Sequence, residues 1–194
     1  ALAGVGLMQM EAGLDTGPVR LCKKSWIGND NAGQISERLG ELGARLIVQV
    51  LNSLESYPPV AQAEIGITYA HKIEKAEARL DFGASSDELG RRIRAFNPAP
   101  GAYFELGGER IKVLTAKPLD RWKGYHEEPG QIVDLLDARC SLARRWPSKR
   151  GEEFVIACGE GYLLPITIQR PGKKPMAAID ALRGWELPWG KVIA

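Results

Sequence analysis

From Ile35 onward the apolar residues Leu39, Leu42, Leu46, Ile47, Val50, Leu51 and Leu54 recur three and four apart, the spacing of a helix with one apolar face. Asn31 with Gln34 three residues later supplies a capping pair for its start. Tyr57-Pro58-Pro59 stops it, because consecutive prolines remove donors and crowd the preceding turn. Ahead of this helix, the apolar residues 4–10 predict a strand feeding Glu11-Ala12-Gly13-Leu14-Asp15-Thr16-Gly17-Pro18, where glycines and a proline exclude regular structure. Residues 19–26 return as a second strand. Ser85 and Glu88, at capping-box spacing, announce another helix over residues 87–96, with Leu89, Ile93 and Phe96 on one face and Asn97-Pro98 as its stop.

The period then changes to two. Residues 102–106 and 109–114 flank Gly107-Gly108, two residues that accept the positive φ angles of a tight hairpin turn. Residues 154–157 and 162–169 flank Gly159-Glu160-Gly161 in the same way, and residues 131–135 read as one more strand. Together they predict a small barrel of about five strands, with one helix before it and one after, the latter over residues 176–182 and ended by Gly184. Residues 57–75 mix prolines and polar residues with few core candidates, and the charge changes sign across them: the formal charge is −2 over residues 1–66 and +4 over 67–194. The chain thus divides into residues 1–60, a linker at 61–76, and residues 77–194.

Composition bounds the function classes. At 194 residues, 44% hydrophobic and 26% charged, the chain has enough apolar surface for a buried core and forms one large domain or two small ones. A net charge of +2 excludes whole-protein attraction to nucleic acid and leaves only a local patch. No stretch supplies the 18 or so apolar residues of a membrane-spanning helix, and no cationic run precedes an apolar one at the start, so a soluble, cytoplasmic protein is expected. Cys22, Cys140 and Cys158 are odd in number and widely spaced, which fits reduced thiols rather than a disulfide framework or a paired-cysteine metal site.

Asp15 is the sharpest chemical candidate, a carboxylate on a glycine-rich turn after a strand, where a ligand and the backbone can approach closely. The plainer alternative is a turn aspartate bonded to its own backbone. Asp15-Thr16-Gly17 also matches the aspartic-protease pattern, whose two carboxylates share one proton; one copy would need a homodimer, and the long helix that follows argues against it. Arg91, Arg92, Arg94, Lys112, Lys117, Lys173 and Lys174 form a phosphate track if the barrel gathers them, and a solvated charged face if it does not. Arg139, Arg144, Arg145, Lys149 and Arg150 around Trp146 and Pro147 read as an exposed basic loop. His71 and His126 have no recognisable partner, and Trp185 and Trp189 around Pro188 read as residues that pin the terminal segment to the barrel.

The ordered motifs Leu7-Met8-Gln9-Met10-Glu11-Ala12-Gly13-Leu14-Asp15-Thr16-Gly17-Pro18, Thr68-Tyr69-Ala70-His71-Lys72-Ile73, Glu77-Ala78-Arg79-Leu80-Asp81, Arg94-Ala95-Phe96-Asn97-Pro98 and Gly172-Lys173-Lys174-Pro175-Met176 resemble the methionyl-tRNA formyltransferase family over nearly the whole chain. The resemblance implies an α/β remnant of a Rossmann-like formyltransferase domain, a linker, and a β-barrel of OB-fold type with flanking helices. It implies formyl transfer from 10-formyltetrahydrofolate to the amino group of methionyl-initiator-tRNA in translation initiation, without a metal, in the cytoplasm; the oligomeric state is left open, with a monomer favoured. The family's catalytic set is an Asn, a His and an Asp; Asp15 matches the third, and the first two lie upstream of it, so the chain reads as a fragment. Lys72, Arg94, Lys112, Lys173 and Lys174 are the implied RNA contacts. Two alternatives stand beside this reading: an RNA-binding module without activity of its own, and a related amino-sugar-nucleotide formyltransferase. Residues 139–153 exceed the connection expected between barrel strands.

Overall fold

A computed structural model describes residues 1–142 and 149–193, and its contacts fall into two units, Ala1–Lys72 and Ile73–Ala194. In the first, β1 (Leu2–Met8) and β2 (Val19–Trp26) pair antiparallel and α1 (Ala32–Asn52) packs on them. The capping box forms as the spacing predicts: Gln34 N–H donates to Asn31 Oδ1 and Asn31 N–H to Gln34 Oε1, both at 3.0 Å. Arg38 pairs with Asp30 and donates to the Trp26 carbonyl at 2.6 Å, which ties the first turns of the helix to the end of β2. The helix stops at Asn52, a short 3₁₀ turn follows over Leu54–Ser56, and Pro58-Pro59 lie beyond.

Two expectations change here. The first strand spans Leu2–Met8 rather than residues 4–10, because the ladder shifts register between Leu7 and Met8 and the Gln9 N–H bonds to the Pro18 carbonyl to start the loop. The apolar face of α1 is buried only at Leu46 and Val50, while Ile47, Leu51 and Leu54 are exposed. A two-stranded sheet is too narrow to cover the whole stripe of a 21-residue helix.

The second unit is a curled antiparallel sheet. Its strands are β3 (Tyr103–Leu106), β4 (Glu109–Leu119), β5 (Ile132–Asp134), β6 (Phe154–Ala157), β7 (Tyr162–Gln169) and β8 (Met176–Ala177). They lie in the order β3-β4-β7-β6-β5, with β8 on β7. Gly107 and Gly108 have φ of 60° and 80°, as the β3–β4 hairpin requires. β4 runs well past residue 114 because β7 pairs with it up to Leu119, through irregular register around Val113–Ala116. The expected late helix is shorter: Met176-Ala177 join the sheet as β8, leaving α3 (Ala178–Ala181) and a 3₁₀ turn at Leu182–Gly184.

α2 (Ser86–Ala95) is capped by Ser85 Oγ, which accepts from the Glu88 N–H at 3.2 Å, and sets Leu89, Ile93 and Phe96 into the core. Phe104 and Phe82 meet edge to face with centroids 6.0 Å apart. Side chains as fully buried as Phe104, Ile111 and Phe154 contribute about 1.5–3 kcal/mol each through lost apolar hydration. Alternation splits β6 and β7 between two cores. Phe154, Ile156, Cys158, Leu163 and Ile168 face the main one, and Val155, Ala157, Tyr162 and Leu164 face a smaller one closed by Leu135, Ala138 and Cys140.

Candidate functional site

The loop between β1 and β2 is the most constrained polar segment of the first unit. Gly17 is buried, and a Cβ there would overlap the Gln9 carbonyl oxygen; a Cβ on Gly13 would come 2.5 Å from Thr16 Oγ1. Pro58-Pro59 carry the chain from α1 back to the loop: Val19 and Val60 exchange backbone hydrogen bonds at 2.8 and 3.0 Å. That pairing delivers Gln62, whose side-chain amide donates to the Asp15 carbonyl at 2.9 Å and the Gly17 carbonyl at 2.8 Å. Arg20 completes the clamp, donating to the Tyr57 carbonyl at 2.7 Å and to Gln9 Oε1 at 2.6 Å.

Asp15 itself has φ of +57°, the one described non-glycine residue in the left-handed region. Asp tolerates that region better than most residues, yet the conformation still costs free energy and persists only where neighbours enforce it. Its side chain is exposed, and among the described residues its carboxylate has no hydrogen-bond or ion-pair partner. A carboxylate with both oxygens free, on a clamped backbone, can orient an imidazole, accept a proton or hold a cationic group. The alternative of an aspartate bonded to its own backbone does not describe this side chain. Gln62, Arg20 and Gln9 were not legible as parts of a site, because their contacts join residues far apart in sequence.

The basic candidates are scattered over several elements. Lys72 ends the first unit and is exposed. In the second unit Arg94 folds back on α2, donating to the Gly90 carbonyl at 3.2 Å. Lys112, on β4, donates to the Pro100 carbonyl at 3.2 Å and pairs in register with Gln169, whose amide donates to the Lys173 carbonyl at 2.9 Å. Lys112 therefore lies beside the turn that carries the exposed Lys173 and Lys174. Arg91 is exposed and Arg92 half-buried on α2, and Lys117 is exposed on β4.

Of the expected basic loop, Arg144, Arg145, Trp146 and Pro147 lie outside the described residues. Arg150 grips Asp137 with both terminal nitrogens, at 2.5 and 2.8 Å, and this pairing holds the Asp137 carboxyl below its usual range. Arg139 lies over the Tyr125 ring at 5.3 Å from its centroid. Nearby, burial pushes the Tyr162 hydroxyl up, helped by its bond to Glu127. His71 and His126 are exposed. Trp185 packs edge-on against Phe154, but Trp189 is 44% exposed, so only the first of the pair acts as a packing anchor. Among the described residues no group of three or more His, Cys, Asp or Glu side chains could hold a metal, and no helix is long and apolar enough to cross a membrane.

Residues 72–186 match the family described as "Formyl transferase, C-terminal domain". The chain is 41% identical over 191 residues to a methionyl-tRNA formyltransferase of Rhizorhabdus wittichii, covering 98% of this chain and 56% of that protein. It is 44% identical over 189 residues to the enzyme of the same name from Novosphingobium aromaticivorans, covering 97% and 56%. The chain thus spans a little over half the length of these relatives. Among solved structures, HypX from Aquifex aeolicus in complex with tetrahydrofolic acid shares the fold, with a TM-score of 0.64 at 19% identity, over 93% of this chain and 30% of that one.

Proposed function

Because the chain belongs to the formyl transferase C-terminal domain family, we propose that it is part of a cytoplasmic enzyme that formylates the methionine of initiator methionyl-tRNA. In this reading the first unit is the end of a Rossmann-like catalytic domain, and the curled sheet of the second is a barrel of OB-fold type that holds tRNA. The donor is 10-formyltetrahydrofolate: the methionyl amine attacks its formyl carbon, a new carbon–nitrogen bond replaces that to N10, the amine loses a proton and tetrahydrofolate leaves. No resident metal is involved.

The observation that carries this reading is the Asp15 loop. It presents one carboxylate, free of internal partners, on a backbone clamped by Gln62 and Arg20. A group that only orients a neighbouring base needs that rigidity, because its contribution depends on geometry held before the substrate arrives. The chain spans 56% of its methionyl-tRNA formyltransferase relatives. In this reading the catalytic Asn and His belong to the rest of the complete enzyme, with Asp15 holding the histidine in the tautomer that accepts the amine proton. On the second unit, Arg94, Lys112, Lys173 and Lys174 meet tRNA phosphates, as does Lys72 at the end of the first.

Asp15→Asn in the complete enzyme tests the assignment. Formyl transfer is expected to fall about 10²- to 10⁴-fold, the range for loss of acid–base assistance, with tRNA affinity unchanged. Near-normal turnover would reject a catalytic role for Asp15.

A further inference from the structure

Of the aromatic side chains in the second unit, Tyr125 and Trp189 are each 44% exposed and line the same cleft, a space of about 610 Å³ beside β5. The backbone under Trp189 is bonded on both sides: Gly190 N–H donates to the Ile132 carbonyl at 2.8 Å, Ile132 N–H to the Lys191 carbonyl at 3.0 Å, and Lys191 N–H to the Pro188 carbonyl at 3.0 Å. Exposed aromatic area held on fixed backbone gains nothing for the core and marks a surface that another flat group can cover. On the other wall the guanidinium of Arg139 lies over one face of the Tyr125 ring, a flat cationic group already stacked there.

The charges in the cleft decide what that group is. Asp137 is neutralised by Arg150. Asp134 accepts the Leu136 N–H at 2.9 Å and the Gly151 N–H at 2.6 Å, and Glu127 faces Arg121 at 3.9 Å. Among the described residues three carboxylates, Glu127, Asp134 and Asp137, face two guanidiniums, Arg139 and Arg150, so this lining carries no excess of positive charge for a phosphate and suits a flat, uncharged ring with polar edges. Its volume lies within the range of small-molecule sites.

We propose that this cleft takes one unpaired base of an RNA strand, stacked against Trp189 and Tyr125, while the phosphates stay outside. The inference rests on the RNA-binding reading above and adds a subsite to it. Stacking is open to any base, but the base must be out of a duplex, which separates this site from a track of lysines that reads phosphates alone.

The test titrates the full chain with dye-labelled single-stranded hexa-adenylate and with a duplex RNA of equal phosphate count, at one salt concentration. Single-strand binding is expected to be about tenfold tighter. Trp189→Ala and Tyr125→Ala should each weaken it about 5- to 150-fold, the range for one stacked base, and leave the duplex constant unchanged, while Trp189→Phe keeps most of the preference. Tyr125→Ala decides the matter if the tryptophan variant does not fold, since Tyr125 lies outside every strand and helix. Equal affinity for the two RNAs, or variants that bind like the parent, would overturn the cleft while leaving phosphate-driven RNA binding intact. Loss of all salt-sensitive RNA binding in the parent chain would overturn both. Displacement of the strand by folic acid at lower concentration than by adenosine monophosphate would assign the cleft to a pteridine ring and overturn the proposal.

Discussion

No methyl group fits between Gly17 and Gln9: the carbonyl oxygen of Gln9 occupies the place that a Cβ on Gly17 would take. The close approach lets Gln9 and Pro18 bond across the base of the loop, N–H to carbonyl at 2.9 Å, and so sets where Asp15 emerges. Gly17→Ala is therefore expected to lower stability by about 1–3 kcal/mol, the usual cost of overpacking. Gln62→Ala, which removes two hydrogen bonds, should cost about the same at roughly 0.5–1.5 kcal/mol each. Urea unfolding checks both, and an unmoved midpoint for Gly17→Ala would contradict the crowding.

Two helical glycines should respond to alanine with opposite sign. Gly40 on α1 has nothing within 4 Å of where a Cβ would sit, so Gly40→Ala should stabilise by up to about 1 kcal/mol through helix propensity. At Gly90 on α2 the Cβ would come 2.6 Å from the ring of Pro118, and a proline ring cannot swing aside. There the propensity gain is outweighed, and Gly90→Ala should destabilise by about 1–2 kcal/mol net. Thermal melting of the two variants side by side measures the difference.

The fate of α1 illustrates how much of this fold was legible beforehand. Its caps, its length and the two glycine hairpins of the second unit follow from local chemistry: a side chain reaching three residues along, a proline removing a donor, a glycine accepting positive φ. Which apolar residues of α1 are buried does not, because Ile47 and Leu46 are equally apolar and differ only in what lies opposite. The same holds at the site. Asp15 stood out in its glycine-rich turn, but the clamp of Gln62 and Arg20 depends on chain returns of 34 to 47 residues that leave no periodic trace. Met176-Ala177 read as helix and became a strand because β7 offered them an open edge.

Thiol chemistry should separate the cysteines. Cys22 is exposed, whereas Cys140 and Cys158 are fully buried, so a maleimide should add one label to the native chain and three after unfolding, as read by intact mass. Burial pushes the Cys158 thiol from its ordinary value near 9 up to about 12. The folded state thus keeps a proton that the unfolded chain releases. The contribution is complete below about pH 9 and is lost as pH rises toward 12, at up to about 1.4 kcal/mol per pH unit. Cys158→Ala, whatever it costs in packing, should flatten that slope in urea titrations between pH 9 and 11.

Salt should report on the lysines of the β7–β8 turn. If Lys173 and Lys174 each meet a phosphate, replacing both with Gln should reduce the slope of log K against log salt by roughly 1.5–2 and weaken all RNA sequences alike. A slope equal to that of the parent chain would remove the pair from the interface.

β6 and β7 are covered on both faces, Ile156 and Leu163 by one core and Val155 and Leu164 by the other. No motion that exposes only one face can free their backbone amides. Deuterium should therefore reach this hairpin at the rate of whole-unit opening, and more slowly than it reaches β3, which pairs with β4 on one side and on the other meets the chain only through a single bridge between Tyr103 and Arg79.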